Sequence, residues 1–249
     1  MFRTRSVFIG AVLAAGVAAT TLTASALPVG IKPLDEAQMR AASLKISDIP
    51  SDLLIKGQTP SRVIDYVAGK RAPAPDLCIT KKGDTVYGKK PRQWMESNIT
   101  LKEDLGNFSF VATNSDIYQY ANAKRALKAY DELRTMAMEC SQTTRAKVKD
   151  DGAKVKVKVK GKFKNAASIG GVRGFALSFD LNLGVDVPDK IDLALLADQY
   201  SVYHLSGTSI VRVEYAQVDG DKVKKIGKPK RQYTKSASRT VTYRVWDSF

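Results

Sequence analysis

Apolar and polar positions along this chain fall into two periods, and the boundaries between them mark its elements. Between Ala121 and Cys140 the residues Ala126, Tyr130, Leu133, Ala137 and Cys140 recur at steps of four, three, four and three. That is the stripe of an amphipathic helix, and it leaves Lys124, Arg125, Lys128, Asp131, Glu132 and Arg134 for solvent. A shorter helix is expected from Asp35 to Leu44, with Asp35 as N-cap and Ser47-Asp48-Ile49-Pro50 as its stop. Ser61 to Val67 reads as one or two further helical turns. Elsewhere the period is two. Met95–Leu101 and Asn107–Thr113 flank a turn at Lys102–Gly106, and Arg145–Lys149 and Ala153–Lys164 flank Asp150-Asp151-Gly152. Gly170-Gly171 breaks the chain before the alternating run Phe175 to Leu183, and Pro188-Asp189 breaks it again. Asp198–Leu205 and Ser209–Val218 form a hairpin about Ser206-Gly207-Thr208, and Val241, Tyr243 and Val245 suggest a last strand, with a terminal helix as the alternative. The sum is an α+β domain: an antiparallel β-sheet with helices packed on one face.

The start of the chain departs from both periods. Arg3 and Arg5 precede an almost wholly apolar run from Val7 to Leu22, followed by Ala24-Ser25-Ala26, the small-x-small pattern of a signal peptidase site. The expectation is a signal peptide over residues 1–26, cleaved after Ala26, and a single domain over 27–249 with 27–34 as a flexible lead-in. An uncleaved anchor would need about 20 apolar residues, and Thr20, Thr21 and Thr23 dilute the end of this run. Export then bears on the cysteines. There are two, Cys78 and Cys140, and in an oxidising compartment they most economically pair with each other. Neither lies near the leader, so the expected product is secreted and is not a lipoprotein.

Charge sharpens the picture further. The chain carries a formal net charge of +15, which falls to +13 once Arg3 and Arg5 leave with the leader. Much of this is concentrated in Lys154-Val155-Lys156-Val157-Lys158-Val159-Lys160-Gly161-Lys162-Phe163-Lys164. Alternation across a strand sends Lys154, Lys156, Lys158, Lys160, Lys162 and Lys164 to one face, and Arg145, Lys147 and Lys149 extend the same surface from a partner strand. Two readings stay open: a docking strip for a polyanion, or lysines that guard a sheet edge against aggregation. A second cluster runs from Lys222 to Arg231 and is expected in a loop. The two strips hold almost none of the aromatics that stack nucleic-acid bases, Phe163 alone, and no physiological nucleic-acid partner is expected.

Other chemistry is sparse. His204 is the sole histidine, and its expected place is a sheet position beside tyrosines. No nucleophile elbow, P-loop, zincin motif or Cys-x-x-Cys occurs. The acidic pairs Glu103-Asp104 and Asp150-Asp151 sit in expected turns. No catalytic residue, metal ligand or cofactor is assigned, and an enzyme would have to assemble its site from distant residues.

Several pieces together resemble the extracytoplasmic sensor-like domains of actinobacteria, the PknH-type kinase extracellular domain and its secreted or lipid-anchored relatives. They are Ala41-Ala42-Ser43-Leu44 with Ser47-Asp48-Ile49-Pro50, then Cys78, the strand Phe108–Ala112, the helix Ala123–Leu133 ending in Cys140, and the hairpin Tyr203–Val213. The resemblance implies a disulfide-stabilised sheet-and-helix fold with a broad cleft, outside the membrane, that binds a ligand without catalysis. The kinase member has two bridges and this chain has cysteines for one. The leading expectation is therefore a secreted, non-catalytic, sensor-like protein of the cell envelope or exterior, with tyrosines lining a cleft for a small or lipidic ligand. The alternatives are an accessory protein that holds an anionic cell-wall polymer or lipid headgroups on the lysine strand, and a secreted enzyme.

Overall fold

The structure, a computed structural model, describes residues 32–79, 85–104, 109–141, 143–150, 153–169, 172–187, 190–219 and 226–249. The expected leader, residues 27–31, the Gly170-Gly171 and Pro188-Asp189 breaks, Asp151-Gly152 and Lys222–Lys225 lie outside them. Ten strands and three α-helices are described: α1 (Glu36–Ala42), β1 (Ser61–Ala68), β2 (Asp76–Ile79), β3 (Thr85–Tyr87), β4 (Gln93–Asp104), β5 (Ser109–Gln119), α2 (Ala123–Glu139), β6 (Thr143–Asp150), β7 (Ala153–Ile169), β8 (Val172–Val187), β9 (Lys190–Ser206), β10 (Ser209–Asp219) and α3 (Lys228–Asp247). Eight strands form one antiparallel sheet in the order β1-β4-β5-β10-β9-β8-β7-β6, and β2 and β3 pair separately. The chain builds β4 and β5, crosses the sheet through α2, and starts again at the far edge with β6. It then returns strand by strand until β10 pairs with β5 in the middle.

The α+β class holds, and the helices divide between the two faces. Met39 and Ala42 of α1 and Tyr233, Ala237, Val241 and Val245 of α3 share a core with Met95, Ile117, Tyr200, Val202, Val211 and Val213. On the other face Ala126, Ala129, Tyr130, Leu133 and Ala137 of α2 pack with Tyr118, Phe175, Leu177, Tyr203 and Ile210. The pattern had placed helices on one face only. Both parities of Tyr200–Leu205 and Ile210–Val213 carry buried side chains, which is the mark of central strands covered on both sides.

Local chemistry explains the ends of these elements. Asp35 caps α1 in a capping box with Gln38, and Asn122 caps α2 by accepting from the Arg125 N–H. Gly207 takes φ +53° in the tight β9–β10 turn, a conformation that costs glycine little. Leu34, assigned to the lead-in, is buried at 2% exposure in the α1 core.

Two segments differ in type from expectation. Residues 61–67 form the edge strand β1, in which Val63 is exposed and Arg62 is half-buried. Val241, Tyr243 and Val245 belong to helix α3, and Tyr243 is 48% exposed. The buried stripe of α3 is Tyr233, Thr234, Ala237, Ser238, Val241, Thr242 and Val245. Its three hydroxyl residues disguise a period of 3.6 as polarity, while the chance alternation of the valines mimics a strand. The basic cluster expected as a loop thus continues into a helix at Lys228, Lys230 and Arg231.

Candidate functional site

The bridge expected from the sequence is present: Cys78 and Cys140 are joined, with Cα atoms 5.9 Å apart. It ties β2 to the C-cap of α2. Beside it, Gly161 interrupts the Lys-Val alternation of β7 for a steric reason. A Cβ there would overlap the Cys140 carbonyl oxygen, so the helix end can pass this strand only at a glycine.

The lysine strand is where the structure most changes the reading. β7 is paired with β8 on one side and with β6 on the other. Over residues 153–160 β6 holds the edge, so Lys154, Lys156, Lys158 and Lys160 do not line it, whereas Lys162 and Lys164 lie past the end of the β6 pairing. Lys158, Lys160, Lys162 and Lys164 are all exposed. Lys154 and Lys156 continue the same alternate positions along the strand. Across the β6–β7 ladder, Arg145 pairs with Lys158, Lys147 with Lys156 and Lys149 with Lys154. Three successive like-charge pairs directly opposite one another are destabilising by themselves. Opposing carboxylates are few: Asp180 pairs with Lys160 and Asp186 with Lys154.

Sequence reasoning missed a second charged cluster, which lies on the α2 face. Arg212 is buried, donates from Nε to Asp116 Oδ2 at 2.8 Å and from Nη1 to Asp76 Oδ1 at 2.9 Å, and lies 3.8 Å from Glu214 Oε2. Trp94 Nε1 donates to the other Asp116 oxygen at 2.9 Å. Ser201 and Gln199 donate to Glu214, and Asn114 donates to Glu96 at 3.1 Å. Burial, reinforced by Asp116, raises the carboxyl of Glu96 above its ordinary value. Burial also raises that of Glu214, against the pull of Arg212. These residues come from β2, β4, β5, β9 and β10, so only strand pairing and the packing of β2 could have shown that they meet. The cluster fastens the sheet to β2, the strand that carries Cys78.

The remaining candidates have structural places. His204 lies beneath α3 at 2% exposure, with Nδ1 2.8 Å from Ser238 Oγ. Its ring occupies the space that a Cβ on Gly174 would need. Tyr118, Tyr120, Tyr130, Tyr200, Tyr203, Tyr215 and Tyr233 are at most 5% exposed within the sheet–helix interfaces. Burial raises the Tyr215 and Tyr233 phenols to about 12. The tyrosines expected around a cleft are thus packed in the core. Glu103 is exposed near the end of β4, and the Asp150-Asp151 turn lies partly outside the described residues. No group of three or more His, Cys, Asp or Glu that could hold a metal occurs among the described residues. A pocket of about 500 Å³ is lined by Gly69, Lys70, Lys90, Pro91 and Arg92.

No helix among the described residues is long and apolar enough to cross a membrane. No protein-family model matches the chain, and no curated protein matches it closely enough to count as a relative.

Proposed function

We propose that this is an exported, non-catalytic binding protein that holds an anionic envelope polymer on the lysine face of β7. The observation that carries the reading is the row Lys154, Lys156, Lys158 and Lys160, which lies between β6 and β8, with the first three faced in register by Lys149, Lys147 and Arg145. A row of this kind repels itself, and edge protection does not account for these four lysines. A polyanion relieves the repulsion and releases its own condensed counterions on binding. Export is supported by the leader pattern ending at Ala26 and by the Cys78–Cys140 bridge, which suits an oxidising compartment. The resemblance to sensor-like domains points likewise to binding rather than catalysis.

The test is retention on immobilised heparin and on a teichoic-type polymer. The triple change Lys158, Lys160 and Lys162→Glu should abolish retention at about 0.15 M salt, and binding by the native protein should weaken steeply with salt. Unchanged retention of the triple variant would reject the proposal.

A further inference from the structure

The lysine row has a second wall opposite it. Helix α3 runs alongside β9 for most of its length, as four anchors show. The Ile226 N–H donates to Asp198, Arg231 lies 5.4 Å from the Tyr200 ring centre, Ser238 meets His204 at 2.8 Å, and Ser206 donates to the Thr242 carbonyl at 3.3 Å. The helix advances about 21 Å from its start at Lys228 to Thr242 at its usual rise, and the extended residues 226–227 add the rest. The strand advances about 27 Å from 198 to 206. Helix and strand therefore stay in step, and α3 is aligned with β7 two strands away.

Register fixes what faces what. Tyr200, Ser178 and Lys162 share one level across β9, β8 and β7; Val202, Ala176 and Lys164 share the next. Arg231 sits at the level of Lys162. Lys235 and Arg239 follow it at steps of four, on the same side of the helix, and both are exposed. Lys235 therefore comes to the level of Lys164. Between the walls lie Ser178, Ala176 and Gly174, all small; Ser178 is half-buried and Ala176 and Gly174 are buried, so a ligand would rest on the flanking side chains above them. Asp180 pairs with Lys160 at the level of Asp198, so the wholly cationic stretch starts at Lys162. Arg231 also has a donor to spare: its Nε is buried and has no hydrogen-bond acceptor among the described residues.

The two walls have nearly the same period. Alternate residues of a strand are about 6.7 Å apart, and helix residues four apart are about 6 Å apart along the axis. Two residues of extended chain contain six backbone bonds and span roughly 7 Å. A phosphodiester chain with three carbons between phosphates also has six backbone bonds per charge. We propose, resting on the polyanion reading above, that the trough between β7 and α3 holds an extended three-carbon phosphodiester polymer, with successive phosphates meeting Lys162 and Arg231, then Lys164 and Lys235. A nucleic-acid strand has the same bond count, but none of the wall or floor residues offers an aromatic ring for its bases.

Fluorescence anisotropy of the full chain with labelled poly(glycerol phosphate) oligomers tests this. Three further probes accompany it: an oligomer with six-carbon spacers, heparin fragments, and a single-stranded oligonucleotide of equal charge. The expected result is tightest binding to poly(glycerol phosphate). Lys162→Glu with Lys164→Glu, and separately Lys235→Glu with Arg239→Glu, should each weaken it at least 10-fold. Lys124→Glu with Lys128→Glu, exposed on α2 at the opposite face, should change it less than 3-fold. If only the β7 pair matters, or if the six-carbon oligomer or heparin binds as well, the trough is refuted while the polyanion reading survives. Tightest binding of the oligonucleotide also refutes the phosphodiester assignment in favour of nucleic acid. No binding of any probe overturns both readings.

Discussion

Gly161 is the residue on which two neighbouring elements depend. Any side chain there meets backbone, the Cys140 carbonyl, rather than the yielding tip of a side chain. Gly161→Val should therefore push the α2 terminus away from β7 and lower stability by several kcal/mol, within the range of severe core overpacking. Thermal unfolding and the yield of the oxidised form would show it. At Glu96 and Glu214 the charged form is what burial penalises. Both carboxyls are raised above the ordinary 4.5, so the folded protein keeps protons that the unfolded chain releases from about pH 4.5 upward. Their contribution to stability consequently grows as pH falls from neutrality toward 4.5. Asp48 behaves oppositely. Burial raises its carboxyl, but the bonds from Arg244 at 2.6 and 2.7 Å, the Lys45 N–H and the charges of Arg244 and Lys45 together lower it more, below the ordinary 3.8. Its contribution is present above that value and lost under it. Urea unfolding at pH 7 and pH 5 should show Glu96→Gln/Glu214→Gln flattening the dependence; an unchanged slope would refute the assignment.

At the scale of elements, the bridge between β2 and α2 closes a sequence separation of 62 residues. The chain-entropy model gives such a loop about 4 kcal/mol. Reduction, or Cys78→Ser with Cys140→Ser, should lower unfolding stability by about that amount in denaturant titrations. Which elements were legible follows the same physics. Strands with one polar face announce themselves by alternation, and α2 by a stripe of wholly apolar residues. β1 escaped because its residue types do not follow its alternating burial: Val63 is exposed beside half-buried Arg62. α3 escaped because Thr234, Ser238 and Thr242 are at most 1% exposed and read as surface. The lysine row was visible in the sequence, but the interior position of Lys154, Lys156, Lys158 and Lys160 was not, since strand order is a non-local property. Its facing wall on α3 was hidden by the same misreading, and the Arg212 cluster by the distance between its members along the chain.

For the whole molecule, order of pairing matters more than any one contact. β10 lies between β5 and β9 and is bonded to both, so its removal splits the eight-stranded sheet into two pieces. Truncation after Thr208 also deletes α3, which covers one face of β9. Such a product should show no cooperative unfolding transition by circular dichroism and should be cut rapidly by protease. An independently folded remnant would contradict this.

The late position of β10 also bears on the export proposed above. Ser209–Val218 closes against residues 110–119, about a hundred positions earlier, and non-local pairings of this sort form slowly. Until that segment emerges, β5 and β9 each lack a neighbour and the eight-stranded sheet stays in two pieces. An exported chain with this topology would close its sheet only after nearly its whole length has crossed. That closure would come on the far side, with the cysteines already within reach of the oxidant there.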